Sequence, residues 1–145
     1  MSLVVQHLCN GLIRRSIELR ALYRHAAARV NEPGLRTVLD EEAQSLSLVI
    51  DELQAHMRSQ ESEPATRRGV VSAMRHQFDA LMPHSDDAWI RLLARHERHL
   101  LHAFERVLAR MEPSDMTTAL HRQLPRLHSI DLDMHSLAKA VGVGH

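Results

Sequence analysis

Apolar residues recur every three or four positions along most of this chain, which places them on one face of an α-helix. The pattern predicts helices over about residues 3–30, from residue 33 or 35 to 57, over 89–111, and from about 115 to 140. A shorter apolar segment over about residues 66–82 is either a separate helix or the first half of the third helix. The strict alternation typical of β-strands does not occur, so the chain is expected to be all-α.

Proline, glycine and short polar side chains mark the ends of these segments. Asn-Glu-Pro-Gly at residues 31–34 ends the first helix, and Pro83 interrupts the pattern shortly before Ser85, which can cap the next helix. Pro125 lies inside the last helix, where the missing backbone hydrogen bond should bend it. We therefore expect an antiparallel four-helix bundle with a break near Pro83 and a kink near Pro125, in one domain over residues 1–145.

Two carboxylates fall on faces that are otherwise apolar. Glu42 lies in the apolar run over residues 35–53, and Glu97 lies in the run over residues 90–111. A buried carboxylate must acquire a proton, an arginine or a metal ion, because an unpaired buried charge is strongly destabilising. Three interpretations are open for Glu97: a hydrogen-bonded or ionic partner such as Arg15, a metal ion, or a position on an exposed face.

Inward carboxylates from different helices hold two metal ions in ferritin-like bundles, where a histidine follows an acid by three residues on two of the helices. In this chain Ser45 follows Glu42 at that spacing, and Met134 follows Asp131. Histidines four residues after an acid offer a substitute. The candidate ligands for iron or manganese are therefore Glu18, Glu42, Glu52, His56, Glu97, Asp131 and His135.

Histidine is unusually frequent, at 12 of the 145 residues. His121, His128 and His135 repeat every seven residues and form one stripe, which predicts a solvated or subunit-facing surface; a pH-sensitive interface is the more specific hypothesis. His128 and Asp133 also match one spacing found in haemerythrin-like oxygen carriers. The motifs that such carriers have on their middle helices do not occur here, which leaves haemerythrin as a minor alternative.

Charge and composition narrow the function classes. Eighteen basic and eighteen acidic residues give a formal charge of zero, which disfavours nucleic acid and anionic membranes as partners. Aromatic residues make up 3% of the chain, too few for a base-stacking surface. No segment reaches the roughly 20 apolar residues needed to span a bilayer. Cys9 is the single cysteine, which favours a reducing cytoplasm. It has no accompanying catalytic motif, so the enzyme question stays open and a non-catalytic role is favoured.

The order and spacing of several residues resemble a bacterial ferritin-like family of unknown function, over most of residues 3–138. The resemblance implies a four-helix ferritin-like fold with metal ligands at Glu18, Glu52 and Glu97. Aspartate occupies position 131, where the family pattern leads us to expect a histidine. The residues that carry the resemblance are Glu18, Tyr23-Arg24-His25-Ala26-Ala27, Glu52-Leu53, Gly69, Glu97, Phe104 and Leu137.

Two functions follow from these patterns. The first is a ferritin-like bundle with a degraded, metal-free site, which acts as a binding or stress-associated module and forms a homo-oligomer. The alternative is a di-iron or di-manganese carboxylate protein that oxidises or stores metal. The two differ in whether the inward acids are paired within the chain or bind metal ions.

Overall fold

The structure, a computed structural model, describes residues 1–67 and 83–143. Within these ranges the chain forms four α-helices and no strand, which confirms the predicted all-α four-helix bundle. The apolar segment predicted at residues 66–82 lies almost entirely outside the described residues. The helices are α1 (Leu3–Ala27), α2 (Pro33–Ser59), α3 (Asp86–Arg110) and α4 (Asp115–Val143).

Each helix packs against two antiparallel neighbours. The closest pairs are α1 with α2 and α3 with α4, while α2 with α4 and α1 with α3 complete the bundle. Backbone amides in the connection that follows α1 donate to Asp86 at the start of α3, and Gln123 in the first third of α4 donates to Glu52 near the end of α2. These contacts fix the directions of the helices. Consequently α2 and α3 are parallel and lie diagonally opposite each other.

Side chains cap the ends of the helices where the sequence changes from apolar to polar. Glu32 accepts hydrogen bonds from the amides of Gly34 (3.0 Å) and Leu35 (2.6 Å) at the start of α2. Ser85 accepts one from the amide of Ala88 at 3.1 Å, which confirms the predicted cap of α3. Residues 83–85, which directly precede α3, are not helical; the predicted break near Pro83 also depends on residues outside the described ranges and stays a prediction.

Pro125 lies inside α4, which continues from Asp115 to Val143 without interruption. A proline at this position has no amide hydrogen to donate to the carbonyl group of residue 121, four positions earlier. Because α4 continues through this position, Pro125 does not break the helix. The bend expected there stays a prediction.

A contiguous apolar core runs through the bundle, and removal of this surface from water is the main stabilising contribution to the fold. Trp89, Tyr23 and Phe104 are the largest of its fully buried side chains. Phe104 lies on the face predicted by the apolar run over residues 90–111, whereas burial of Tyr23 and Trp89 was not predicted. In the described parts of the chain, every helix falls short of the apolar length that a bilayer span requires.

Candidate functional site

The interior of the bundle contains a group of polar side chains to which each helix contributes one. We call Tyr23, Glu42, Glu97 and Asp131 the carboxylate layer; they belong to α1, α2, α3 and α4 in that order. Tyr23 and Glu97 are fully buried, while Glu42 is 5% and Asp131 8% exposed. The predicted inward positions of Glu42 and Glu97 are thereby confirmed, and an exposed face is excluded for Glu97.

Glu97 has a neutral hydrogen-bond donor as its partner. The hydroxyl of Tyr23 donates to Oε1 of Glu97 at 2.8 Å, whereas Oε2 is buried without a hydrogen-bond partner in the described residues. Burial raises the pKa of Glu97 to about 8; the Tyr23 hydrogen bond opposes this shift, and the negative charge of Asp131 adds to it. At neutral pH Glu97 is therefore mostly a neutral carboxylic acid.

Tyr23 remains a hydrogen-bond donor throughout the physiological pH range. Burial, followed by the charge of Glu97 and the hydrogen bond to it, raises the pKa of the Tyr23 hydroxyl well above its ordinary value of 10. Glu42 and Asp131 shift this pKa in the same direction. The other three members of the carboxylate layer therefore all raise the pKa of the Tyr23 hydroxyl.

Glu42 is also held in its neutral form. Burial raises its pKa to about 8, and the charge of Asp133, a hydrogen bond with Asp133, and the charges of Glu97 and Glu41 contribute further. As a carboxylate, Glu42 would leave Oε2 buried without a donor among the described residues. As a carboxylic acid, it can donate its proton in a hydrogen bond to the exposed carboxylate of Asp133.

Asp131 is neutralised by an ion pair. The guanidinium of Arg98 donates from Nε to Oδ1 and from Nη2 to Oδ2, each at 3.2 Å. This two-point contact matches the planar geometry of both groups. Nδ1 of His135, one turn further along α4, lies 3.1 Å from Oδ1. Asp131 and His135 are thus brought together, as their spacing predicted.

Glu52 lies apart from the carboxylate layer and bonds to α4. Its Oε2 accepts a 2.5 Å hydrogen bond from Gln123, and its Oε1 lies 3.0 Å from Nη1 of Arg126. The Gln123 hydrogen bond is the main cause that lowers the pKa of Glu52, and Arg126 acts in the same direction. His56, four residues further along α2, is half-buried, and its Nε2 lacks a hydrogen-bond partner in the described residues.

The predicted pairing of Arg15 with Glu97 is wrong. Arg15 is exposed, and the next residue, Ser16, occupies the buried position, where its hydroxyl donates to the carbonyl of Leu12 at 2.8 Å. One residue turns the chain by about 100° around a helix, so the apolar stripe of α1 runs through position 16 instead of 15. Glu18, the remaining candidate on α1, is half-buried.

The structure brings some of the candidate ligands together and separates others. Among residues 1–67 and 83–143, no three acidic, histidine or cysteine side chains converge on a point where an ion could bind. Glu42, Glu97 and Asp131 share the carboxylate layer, but Glu52 and His56 lie two to four turns further along α2. The unpartnered oxygens of Glu42 and Glu97 are the only buried carboxylate oxygens without a hydrogen-bond partner in the described ranges.

Sequence reasoning did not predict a cavity of about 380 Å³ at the end of the bundle where α2 and α3 begin. Its apolar lining comes from three helices. The acids that also line it include Glu32 and Asp86, each of which accepts hydrogen bonds from two backbone amides. Glu32 is therefore explained as the cap of α2, and Asp86 as the acceptor of hydrogen bonds from the connection between α1 and α2. The lining residues are Glu32, Gly34, Leu35, Val38, Asp86, Asp87, Ile90 and Leu137.

A family model described as a domain of unknown function (DUF2383) matches residues 4–110 of the chain. This span contains all but the first residue of α1 and all of α2 and α3. It therefore includes Tyr23, Glu42 and Glu97 and excludes Asp131. No curated protein matches the chain.

Proposed function

Because the chain belongs to the DUF2383 family of domains of unknown function, we propose its role from the geometry of the bundle. It is a metal-free, non-catalytic binding or stress-associated module with a ferritin-like fold, in one domain over residues 1–145, and it works through self-association. Support for the ferritin-like assignment comes from the parallel, diagonal placement of α2 and α3. That placement requires the single long connection typical of ferritin-like bundles.

The observation that carries the metal-free proposal is the set of partners that this layer has within the chain: Glu97 accepts a hydrogen bond from Tyr23, and Asp131 is paired with Arg98. In the absence of metal, burial raises the pKa of Glu42 and of Glu97 to about 8, so both acids hold a proton at neutral pH. A two-metal site requires several of these groups as anions directed at the ions. The protons on Glu42 and Glu97 and the guanidinium of Arg98 supply positive charge in place of the ions, while the neutral hydroxyl of Tyr23 only donates a hydrogen bond.

The state of Cys9 supports a non-catalytic role. Cys9 is buried and unpaired, and burial raises the pKa of its thiol to about 11. The reactive form of cysteine is the thiolate, so this group is a poor nucleophile at neutral pH.

A single buried thiol is also compatible with a reducing compartment, and we place the protein in the cytoplasm.

Metal analysis tests this proposal directly. Untagged protein, produced with iron and manganese in the medium, is purified and its metal content measured beside that of the Glu97→Gln variant. We expect both proteins to contain far less than one ion per chain. About two ions per chain in the wild type, and their loss in Glu97→Gln, would refute the metal-free proposal.

One observation favours the alternative, a di-iron or di-manganese protein. Oε2 of Glu42 and Oε2 of Glu97 come from different helices, are buried and have no hydrogen-bond partner in the described residues. Rotation of these side chains toward Asp131 would create an oxygen-rich site of the kind that hard ions prefer. Anaerobic titration with Fe(II) or Mn(II) tests this. Binding that is lost in both Glu42→Gln and Glu97→Gln supports the alternative, and failure to bind ends it.

A further inference from the structure

The face of α3 that points away from the core carries a row of basic side chains. We call Arg91, Arg95, His102 and Arg106 the arginine face; all four are exposed, and they recur at the three- and four-residue steps of one helix face. Arg98 lies in the same row but is paired with Asp131. In the described parts of the chain, no ion pair involves Arg91, Arg95 or Arg106.

The outward face of α2 has the opposite charge. We call Asp40, Glu41 and Asp51 the acidic face; all three are exposed. Between them lies Leu48, an apolar side chain that is 47% exposed. Asp51 is close enough to Arg20 on α1 for their charges to interact. The acidic face therefore combines three carboxylates with an exposed apolar side chain near its centre.

Although the formal net charge is zero, the arginine face and the acidic face place opposite charges on different sides of the molecule. Since α2 and α3 lie diagonally opposite in the bundle, their outward faces point in opposite directions. The arginine face and the acidic face of one molecule are therefore too far apart to neutralise each other. Each face nevertheless has a surface of complementary charge on every other copy of the chain.

We propose that the arginine face of one copy docks on the acidic face of a second copy. This inference rests on the proposed function, because it identifies the surfaces through which the module self-associates. The spacing of the charges matches: Asp40 and Asp51 are eleven residues apart, as are Arg95 and Arg106, a separation of about 16 Å at 1.5 Å per residue. Because α2 and α3 are parallel, a copy displaced sideways without inversion brings the two rows together.

The contact joins two different faces, so it does not close as a two-fold dimer. Head-to-tail contacts of this kind produce a ring when the rotation closes and an open row when it does not. Exposed ion pairs contribute little individually and are screened by salt. The assembly is consequently weak and salt-dependent, with Leu48 adding apolar contact at the centre of the acidic face.

Charge reversal on either face tests the proposal. Sedimentation velocity is measured at about 0.01 M and about 1 M salt, between which the Debye length falls from roughly 30 Å to roughly 3 Å. The wild type should assemble at low salt and dissociate at high salt. Arg95→Glu with Arg106→Glu, or Asp40→Lys with Asp51→Lys, should weaken assembly by at least about tenfold, because each places like charges across the contact.

Two further samples make the test specific. Arg15→Glu with Lys139→Glu changes the net charge as much as the arginine-face variant does but alters exposed positions on α1 and α4, and it should assemble like the wild type. A mixture of the two face variants should assemble at low salt, since the reversed arginine face of one complements the reversed acidic face of the other. Circular dichroism checks that every variant retains its helices.

The outcomes separate the inference from the proposed function. Wild-type assembly that neither face variant weakens overturns the inference and leaves self-association in place through another surface. Wild-type protein that stays monomeric at low salt overturns both. If that monomer binds a duplex oligonucleotide and the arginine-face variant does not, the face is a polyanion site, which also overturns the inference.

Discussion

The hydroxyl of Tyr23 on α1 donates a 2.8 Å hydrogen bond to Oε1 of Glu97 on α3, and both side chains are fully buried. The pair joins two neighbouring helices by a contact between groups that are both neutral at pH 7, because burial keeps the proton on the carboxyl group as well as on the phenol. It therefore avoids the desolvation cost of a buried ion pair while still satisfying one carboxyl oxygen.

Replacement of Tyr23 by phenylalanine should destabilise the protein by about 1 to 3 kcal/mol, because a buried carboxyl oxygen loses its donor while the ring is kept. The pKa of Glu97 should rise further, since the hydroxyl hydrogen bond opposes the effect of burial. Urea unfolding followed by the fluorescence of Trp89, the one tryptophan of the chain, measures the change in free energy.

The double variant Tyr23→Phe with Glu97→Leu serves as the control. Removing both partners leaves no unsatisfied group at this contact, so the double variant should be more stable than Tyr23→Phe alone. Additive losses in free energy from the two single changes would show that Tyr23 and Glu97 are not coupled.

The inward positions of Glu42 and Glu97 could be predicted from the sequence, because each interrupts a long apolar stripe of fixed period. The assignment of Arg15 to the core of α1 was wrong, because the stripe of α1 is interrupted by polar residues at both 15 and 16. If the stripe is assigned one residue too early, Arg15 is placed at the buried position that Ser16 occupies. An interrupted apolar pattern does not define which side of a helix faces the core, whereas a continuous pattern does.

The partners of the acids could not be read from the sequence. Tyr23 and Glu97 are separated by 74 positions, and Arg98 and Asp131 by 33, so their contacts depend on the rotation and axial shift of whole helices. Local periodicity specifies a face but not the level at which two helices meet. The charge separation between α2 and α3 likewise depends on their diagonal placement, whereas the net charge of zero is a property of composition alone.

Stability should fall as pH rises from about 5 to about 8. The unfolded chain releases the Glu97 proton near the ordinary pKa of 4.5, whereas the folded protein holds it until about pH 8. In that window the unfolded state binds fewer protons, so the free energy of unfolding decreases, by at most about 1.4 kcal/mol per pH unit for this group. Glu42 contributes in the same direction. Urea unfolding across this range measures the slope.

Glu97→Gln should reduce the slope, because the amide is neutral at every pH and nearly the same size as the protonated acid. Glu112→Gln, at an exposed position between α3 and α4, changes the same functional group outside the core and should leave the slope as in the wild type. A wild-type stability that is flat or rises between pH 5 and pH 8 would contradict the neutral form of Glu97.

Asp86 should stabilise the connection between α1 and α2 in addition to the start of its own helix. Its carboxylate accepts hydrogen bonds from the amides of Asn31 (2.9 Å) and Glu32 (3.0 Å). Asp86→Ala should therefore cost about 1 to 2 kcal/mol and speed hydrogen exchange at both amides. Asp86→Asn keeps one acceptor oxygen and should show an intermediate effect. Unchanged exchange at Asn31 and Glu32 in Asp86→Ala would refute this role.

Replacement of Pro125 by alanine should stabilise the protein by about 1 to 3 kcal/mol, because alanine supplies an amide that can donate to the carbonyl of His121 and favours the helix interior. The gain should approach the upper value if α4 is straight and be smaller if the axis bends at Pro125, since a bend moves that carbonyl away. Pro113→Ala, in the connection before α4, is the matched control and should change stability by less than about 1 kcal/mol. Loss of stability in Pro125→Ala would indicate that the packing of α4 depends on the proline ring or on a bend that the proline imposes.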